Sequence, residues 1–160
     1  MKKIFVAIFF ISISHQALGY EIEEYVEKLE WQNKWNRVTN SAIGAYVERG
    51  KSAYPAGLNE KQTAQVSQKI YEALHNRLGW ESMSQGIISS FRTECGDELL
   101  DQMVDYYSGV QYSQEDISVI GNAYTICAQE TMKEAMGRVQ EEIEYFSETE
   151  KSILQKITEK

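Results

Sequence analysis

The stretch Ser113–Phe146, SQEDISVIGNAYTICAQETMKEAMGRVQEEIEYF, decides the fold, because its apolar residues recur with helical spacing throughout. Ser113 and Asp116 have the pattern of a helix start, with a hydroxyl for the first amides and an acid at the positive end of the dipole. An uninterrupted helix here would be about 50 Å long, so Gly137 or Ser147 is a candidate break. The predicted inward face comprises Ile117, Ile120, Tyr124, Cys127, Ala128, Met132, Ala135, Val139, Ile143 and Phe146.

The rest of the chain also favours helices, because Pro55 is its one proline and β-branched alternation is nearly absent. We predict about six helices in an all-α bundle, forming a single domain over residues 20–160. The first helical region is Glu21–Arg49, with a bend or a wide buried face. A second helix is capped by Asn59 and Gln62 and ended by a left-handed Gly79, and a third runs from Trp80 to about Thr93–Gly96. A fourth is capped by Asp97 and closed by Gly109, and a tail helix after the long helix begins with a capping box at Ser147–Glu150.

Residues 1–19 have the pattern of a cleavable export signal. Lys2 and Lys3 precede an apolar run, Ile4–Ile13, and Ala17-Leu18-Gly19 supplies the small residues of a cleavage site. A membrane span needs about 20 apolar residues, so no stable membrane anchor is expected after cleavage. The mature chain is predicted to begin at Tyr20 and to reside in a bacterial periplasm.

The mature chain is acidic. Loss of Lys2 and Lys3 takes the formal net charge from −8 to −10. Nucleic acid and anionic membranes are polyanions that bind basic groups, so neither is an expected partner. A basic protein partner is favoured, with solubility as the alternative explanation of the charge.

Cys95 and Cys127 are the two cysteines of the chain. In an oxidising compartment we expect them to form a disulfide. Their spacing fits neither a Cys-x-x-Cys redox motif nor a zinc site. The bond would fasten the segment before the Asp97 helix to the long helix.

The mature chain has few residues of the kinds that catalytic motifs require. His75 is the one mature histidine, which excludes a zincin motif and a paired Glu-x-x-His di-iron site. The sequence therefore predicts a non-enzymatic protein with no cofactor and no metal. Two alternatives stay open. One is an envelope hydrolase, or a helper of one, that uses carboxylates such as Asp97 and Asp101. The other is a carrier of an apolar ligand held near Trp31, Trp35 and Trp80, although core packing would also explain these tryptophans.

The segment 141–150 is the candidate partner-binding surface. It carries five glutamates with no basic residue among them, and an aromatic residue that could contact a partner. The alternative is an ordinary solvated helix face. The candidate residues are Glu141, Glu142, Glu144, Tyr145, Glu148 and Glu150.

Residues 80–139 resemble a family of secreted helical bacterial proteins, domain of unknown function 2059. The matching features are Trp80-Glu81 at a helix start, Asp97-Glu98-Leu99-Leu100, and Asp105-Tyr106-Tyr107-Ser108-Gly109. The resemblance implies export and a helical fold, without an activity. The chain is also similar in kind to small periplasmic immunity proteins that neutralise toxins delivered by type VI secretion, which are often exported, acidic, helical and disulfide-bonded. We therefore expect a protein that binds a macromolecule, with such a toxin as a candidate partner.

Overall fold

A computed structural model describes residues 20–159, and the predicted export signal at residues 1–19 lies outside them. The described part is all-α and carries a Cys95–Cys127 disulfide, which confirms the predicted fold class. Its helices are α1 (Ile22–Lys28), α2 (Trp31–Gly50), a 3₁₀ turn (Lys51–Ala53), α3 (Glu60–Leu78), α4 (Trp80–Cys95), α5 (Asp97–Tyr107), α6 (Gln114–Tyr145) and α7 (Ser147–Thr158).

The first predicted helical region is divided into α1 and α2. Glu30 adopts the left-handed conformation, with φ of 55°, which is uncommon for a residue with a side chain. Next to this break the Lys34 ammonium donates to the Leu29 carbonyl at 2.9 Å. The break lets Tyr25, Leu29 and Trp31 all enter the core.

Helix α3 begins as predicted and ends differently. Asn59 and Gln62 form the reciprocal capping box, and the stripe of Val66, Ile70, Leu74 and Leu78 is fully buried. The prediction of a left-handed Gly79 is wrong, since its backbone is extended with φ of −66°. Glycine is needed there for space, because a Cβ would lie 2.7 Å from the His75 carbonyl oxygen.

The junction of α4 and α5 is a sharp turn at Gly96. Gly96 has φ of 74° and occupies the position before α5, so Asp97 is the first helical residue rather than the predicted cap. The Asp97 carboxylate instead pairs with Arg92 across the junction. Immediately before the turn, Cys95 is bonded to Cys127 of α6, with their Cα atoms 5.2 Å apart.

Helix α6 is continuous through Gly137 and ends at Tyr145. The Ser113 hydroxyl accepts from the Asp116 amide, which confirms the predicted start. The tail helix α7 is separate, as predicted. The prediction of a capping box at Ser147–Glu150 is wrong, because Phe146 occupies the cap position and no side chain caps the helix. α6 packs against α4 and α5, while α7 packs mainly against α3. Within residues 20–159 no helix is long and apolar enough to cross a membrane.

Candidate partner-binding surface

The turn between α6 and α7 places the acidic segment at one end of the bundle. Phe146, the residue between the two helices, is fully buried. Its ring packs edge-on against Tyr46 at 6.2 Å, and the Arg77 guanidinium lies over it at 5.4 Å. The turn between α6 and α7 is therefore anchored in the core by Phe146.

Tyr145 precedes Phe146 and points the opposite way. With 79% of its surface exposed, it is the most exposed large hydrophobic residue among those the structure describes. Glu141 lies one helical turn before it, and Glu148 lies three residues after it on α7. We call Glu141, Glu144, Tyr145 and Glu148, all of them exposed, the acidic ridge.

The five glutamates of the segment differ in their surroundings. Within the described residues no ion pair or hydrogen bond engages the Glu141 carboxylate, and Glu144 accepts only from Gln140, at 3.2 Å. Glu148 pairs with Lys151 at 2.6 Å, in a contact that water screens strongly. Glu142 faces Arg77 at 3.7 Å, so Arg77 partly neutralises that side of the segment.

Glu150 belongs to the interior rather than to the ridge. It is half-buried and accepts a hydrogen bond of 2.5 Å from the Tyr46 hydroxyl. Burial, reinforced by this bond to a carboxylate, raises the pKa of Tyr46 well above its usual value. Of the six predicted partner-binding residues, the four of the acidic ridge are exposed and engaged by no other helix, whereas Glu142 and Glu150 contact neighbouring helices.

The carboxylates considered for hydrolysis lie along one face of α5 and all have partners. Asp97 receives two hydrogen bonds of 2.7 Å from Arg92, which holds the pKa of Asp97 below its usual value. Asp101 accepts from the Tyr25 hydroxyl at 2.5 Å. Asp105, one turn further, accepts from the hydroxyls of Tyr20 at 2.5 Å and Tyr112 at 3.2 Å.

Sequence reasoning missed these tyrosine–carboxylate pairs. The spacing of Asp97, Asp101 and Asp105 by four residues places them on one helix face, and this spacing is the feature of the sequence that indicates a shared role. Their partners Tyr20 and Tyr25 lie more than seventy residues away along the chain, so local spacing cannot find them. Within residues 20–159, no cluster of three or more His, Cys, Asp or Glu side chains is placed to hold a metal ion.

The tryptophans considered for a ligand pack mainly in the core. Trp31 stacks on Phe91 with ring centroids 4.2 Å apart, and the fully buried Trp35 donates to the Leu78 carbonyl at 2.8 Å. Trp80 is half-buried and lines an open hollow of about 460 Å³ with Ile22, Val26 and Ile88.

Another hollow, of about 400 Å³, lies between α5 and α6. Tyr106, Tyr107, Tyr112 and Tyr124 line it, with Lys34 among the other residues of its wall. Aromatic faces and phenolic hydroxyls of this kind can contact a small planar molecule.

No family model, curated protein or solved structure matches this chain. The resemblance of residues 80–139 to domain of unknown function 2059 therefore stays a prediction.

Proposed function

We propose that this chain is an exported bacterial protein that works by binding a basic protein partner through the acidic ridge, without catalysing a reaction. Its place of action is the periplasm. A toxin neutralised by this contact is the specific partner class that we favour, because an acidic surface is suited to covering a basic active or binding site on another protein.

The exposed Tyr145 among glutamates carries the proposal. An aromatic side chain that remains 79% exposed next to the buried Phe146 brings a large contact area with little loss of conformational freedom on binding. Tyrosine is among the residues most often found at the energetic centre of interfaces. Glu141 and Glu144, which have no basic partner in the described chain, would attract and orient a basic surface around it.

The surroundings of Asp97 and Asp101 support binding over hydrolysis. A general acid or base must be free to exchange a proton with a substrate. Asp97 is held by Arg92, and Asp101 accepts from a tyrosine that is itself buried, so both carboxylates have clear roles in joining helices.

The test begins with the mature protein immobilised and exposed to periplasmic and neighbouring-cell extracts. A captured protein is identified by mass spectrometry, purified, and its affinity for the chain measured directly at two salt concentrations. Y145A should weaken this binding by about tenfold or more, which corresponds to about 1.4 kcal/mol. E141Q/E144Q should mainly slow association and reduce its salt dependence.

The matched control removes the same number of charges elsewhere. Glu27 and Glu94 are exposed on α1 and α4, and E27Q/E94Q has the same net charge as E141Q/E144Q. Equal effects of the two double variants would show that only overall charge matters. Unchanged affinity in Y145A would remove the ridge as the contact.

A second candidate function rests on the tyrosine-lined hollow, which has a volume suited to a small planar molecule. Titration with phenol and indole, followed by NMR, tests it. Shifts confined to Tyr106, Tyr107 and Tyr124 would support a ligand site, whereas shifts scattered over the surface would contradict it.

A further inference from the structure

The backbone nitrogen of Tyr20 lies against a carboxylate. It is 3.3 Å from Oδ1 of Asp101, and the Tyr20 hydroxyl donates to Asp105 one turn along α5. The Tyr20 ring also packs edge-on against Tyr25, with centroids 6.4 Å apart. Tyr20 is thus docked on α5 at both its backbone and its side chain.

The charges around Tyr20 are mostly negative. Asp101 faces its nitrogen and Asp105 faces its hydroxyl, both from α5, and the charge of Glu24 on α1 also acts on the hydroxyl. Arg92, whose charge acts on Tyr25 and Asp101, is bonded to Asp97. Within the described residues, no basic side chain forms an ion pair with Asp101 or Asp105, so the docking site of Tyr20 has a surplus of negative charge.

The predicted signal cleavage changes the chemistry of this nitrogen. In the precursor, the Tyr20 nitrogen belongs to a peptide bond with Gly19 and is neutral. Hydrolysis of that bond by the peptidase consumes one water, leaves a carboxylate on Gly19 and gives Tyr20 a free α-amine. An α-amine has an ordinary pKa of about 8, so it carries a proton at neutral pH.

We propose that the α-ammonium created at Tyr20 by signal cleavage binds Asp101, so that processing itself locks α1 onto α5. A hydrogen bond from a neutral amide becomes a charge-assisted one, which is about twice as strong. The acidic site formed by Asp101 and Asp105 then serves as a receptor for the chain's own processed end. The precursor has only the neutral hydrogen bond to Asp101 and is the less stable form. The proposal rests on export and is independent of the partner-binding function.

The experiment compares two forms of the protein. One is exported, so that cleavage occurs naturally, and its first residue is determined by N-terminal sequencing. The other carries Gly-Ser-Gly before Tyr20, which keeps the Tyr20 nitrogen in an amide. Each is made with the native sequence, with D101N and with D105N, and all six are melted at pH 7 and low salt.

We expect Tyr20 as the first residue and a melting temperature about 3 °C higher for the processed form than for the extended form. The difference should persist in D105N, where the phenol loses its charged acceptor but the amine keeps Asp101. It should vanish in D101N. An equal difference in D101N would indicate a steric effect of the extension and would overturn the proposal, as would a different first residue.

A second measurement needs no variant. The pH dependence of reductive methylation reports the pKa of the Tyr20 amine in the native protein, with urea-unfolded protein as the reference. Pairing with Asp101 predicts a higher pKa in the native state. Equal values in the two states would overturn the proposal even if D101N failed to fold.

Discussion

The indole nitrogen of Trp31 donates a hydrogen bond of 3.0 Å to the hydroxyl of Tyr124. Trp31 is the first residue of α2 and Tyr124 lies in the first half of α6, so the bond joins two helices through residues that are 93 apart in sequence. Both residues are almost fully buried. Without Tyr124, the Trp31 N–H would lie in the core without an acceptor.

Replacement of Tyr124 by Phe should therefore destabilise the protein. Y124F keeps the ring but leaves a buried donor unpaired, which costs about 1–3 kcal/mol. Urea unfolding measures the loss. Y106F, at an exposed tyrosine of α5, is the control and should change stability by less than about 0.5 kcal/mol. A similar loss in both variants would contradict the role of the Trp31–Tyr124 bond.

The disulfide should contribute more than any single hydrogen bond. It closes a loop with a sequence separation of 32 residues, which predicts a contribution of about 3–4 kcal/mol from the reduced entropy of the unfolded chain. Denaturant unfolding with and without a reductant measures it. The double variant C95A/C127A should be insensitive to the reductant. If reduction left the native protein's midpoint unchanged, the bond would have no stabilising role.

Much of this fold is visible in the sequence because helical periodicity is local. The fully buried Val66, Ile70, Leu74 and Leu78 follow from a spacing of four, and the inward position of Cys127 follows from the period of its helix. The two rotated apolar stripes of Glu21–Arg49 predict a bend or a wide buried face, and the structure has the bend. Its position at Glu30 does not follow, because glutamate rarely adopts a left-handed conformation and no glycine marks the place. Tertiary packing of Tyr25, Leu29 and Trp31 overrides the local preference there.

The candidate surface was only partly predictable for a related reason. The run of glutamates shows where negative charge is concentrated, but not which carboxylates another helix engages. Glu142 meets Arg77 and Glu150 meets Tyr46, and both partners come from distant helices. Likewise, the adjacent aromatic residues Tyr145 and Phe146 differ completely in burial, because the chain turns between α6 and α7 at that point.

Thr131 offers a stabilising substitution. It is fully buried in the middle of α6, and its hydroxyl has no hydrogen-bond partner among the described residues. T131V replaces this hydroxyl by a methyl group of similar size and should raise stability by about 1 kcal/mol. The matched control is T39V, because the buried Thr39 hydroxyl donates to the Trp35 carbonyl at 2.9 Å. T39V should lower stability by about 1 kcal/mol in the same urea experiment. Equal effects of the two variants would contradict this account.

Replacement of Gly96 and of Gly137 by alanine should change the stability of the protein in opposite directions. Gly96 has φ of 74° and ψ of 148°, a conformation that strains any residue with a Cβ, so G96A should cost about 1–3 kcal/mol. Gly137 lies inside the continuous helix α6 with open space around its Cα, so G137A should add about 0.5–1 kcal/mol. Thermal unfolding of both variants checks the pair. Stabilisation by G96A would contradict the strained turn between α4 and α5.

Stability should fall in alkaline solution as the tyrosines of the unfolded chain ionise. Burial raises the pKa of Tyr124 to about 12. The hydrogen bond between Tyr20 and Asp105 raises the pKa of Tyr20 to about 12. A raised native pKa stabilises the protein below the ordinary tyrosine pKa of about 10, and this stabilisation is lost between pH 10 and 12. The buried phenol of Tyr124 steepens this loss by up to about 1.4 kcal/mol per pH unit. Urea unfolding from pH 9 to 11 should show a shallower decline in Y124F than in the native protein. Y145F removes an exposed phenol and should retain the native slope, so equal flattening by both variants would contradict the assignment to Tyr124.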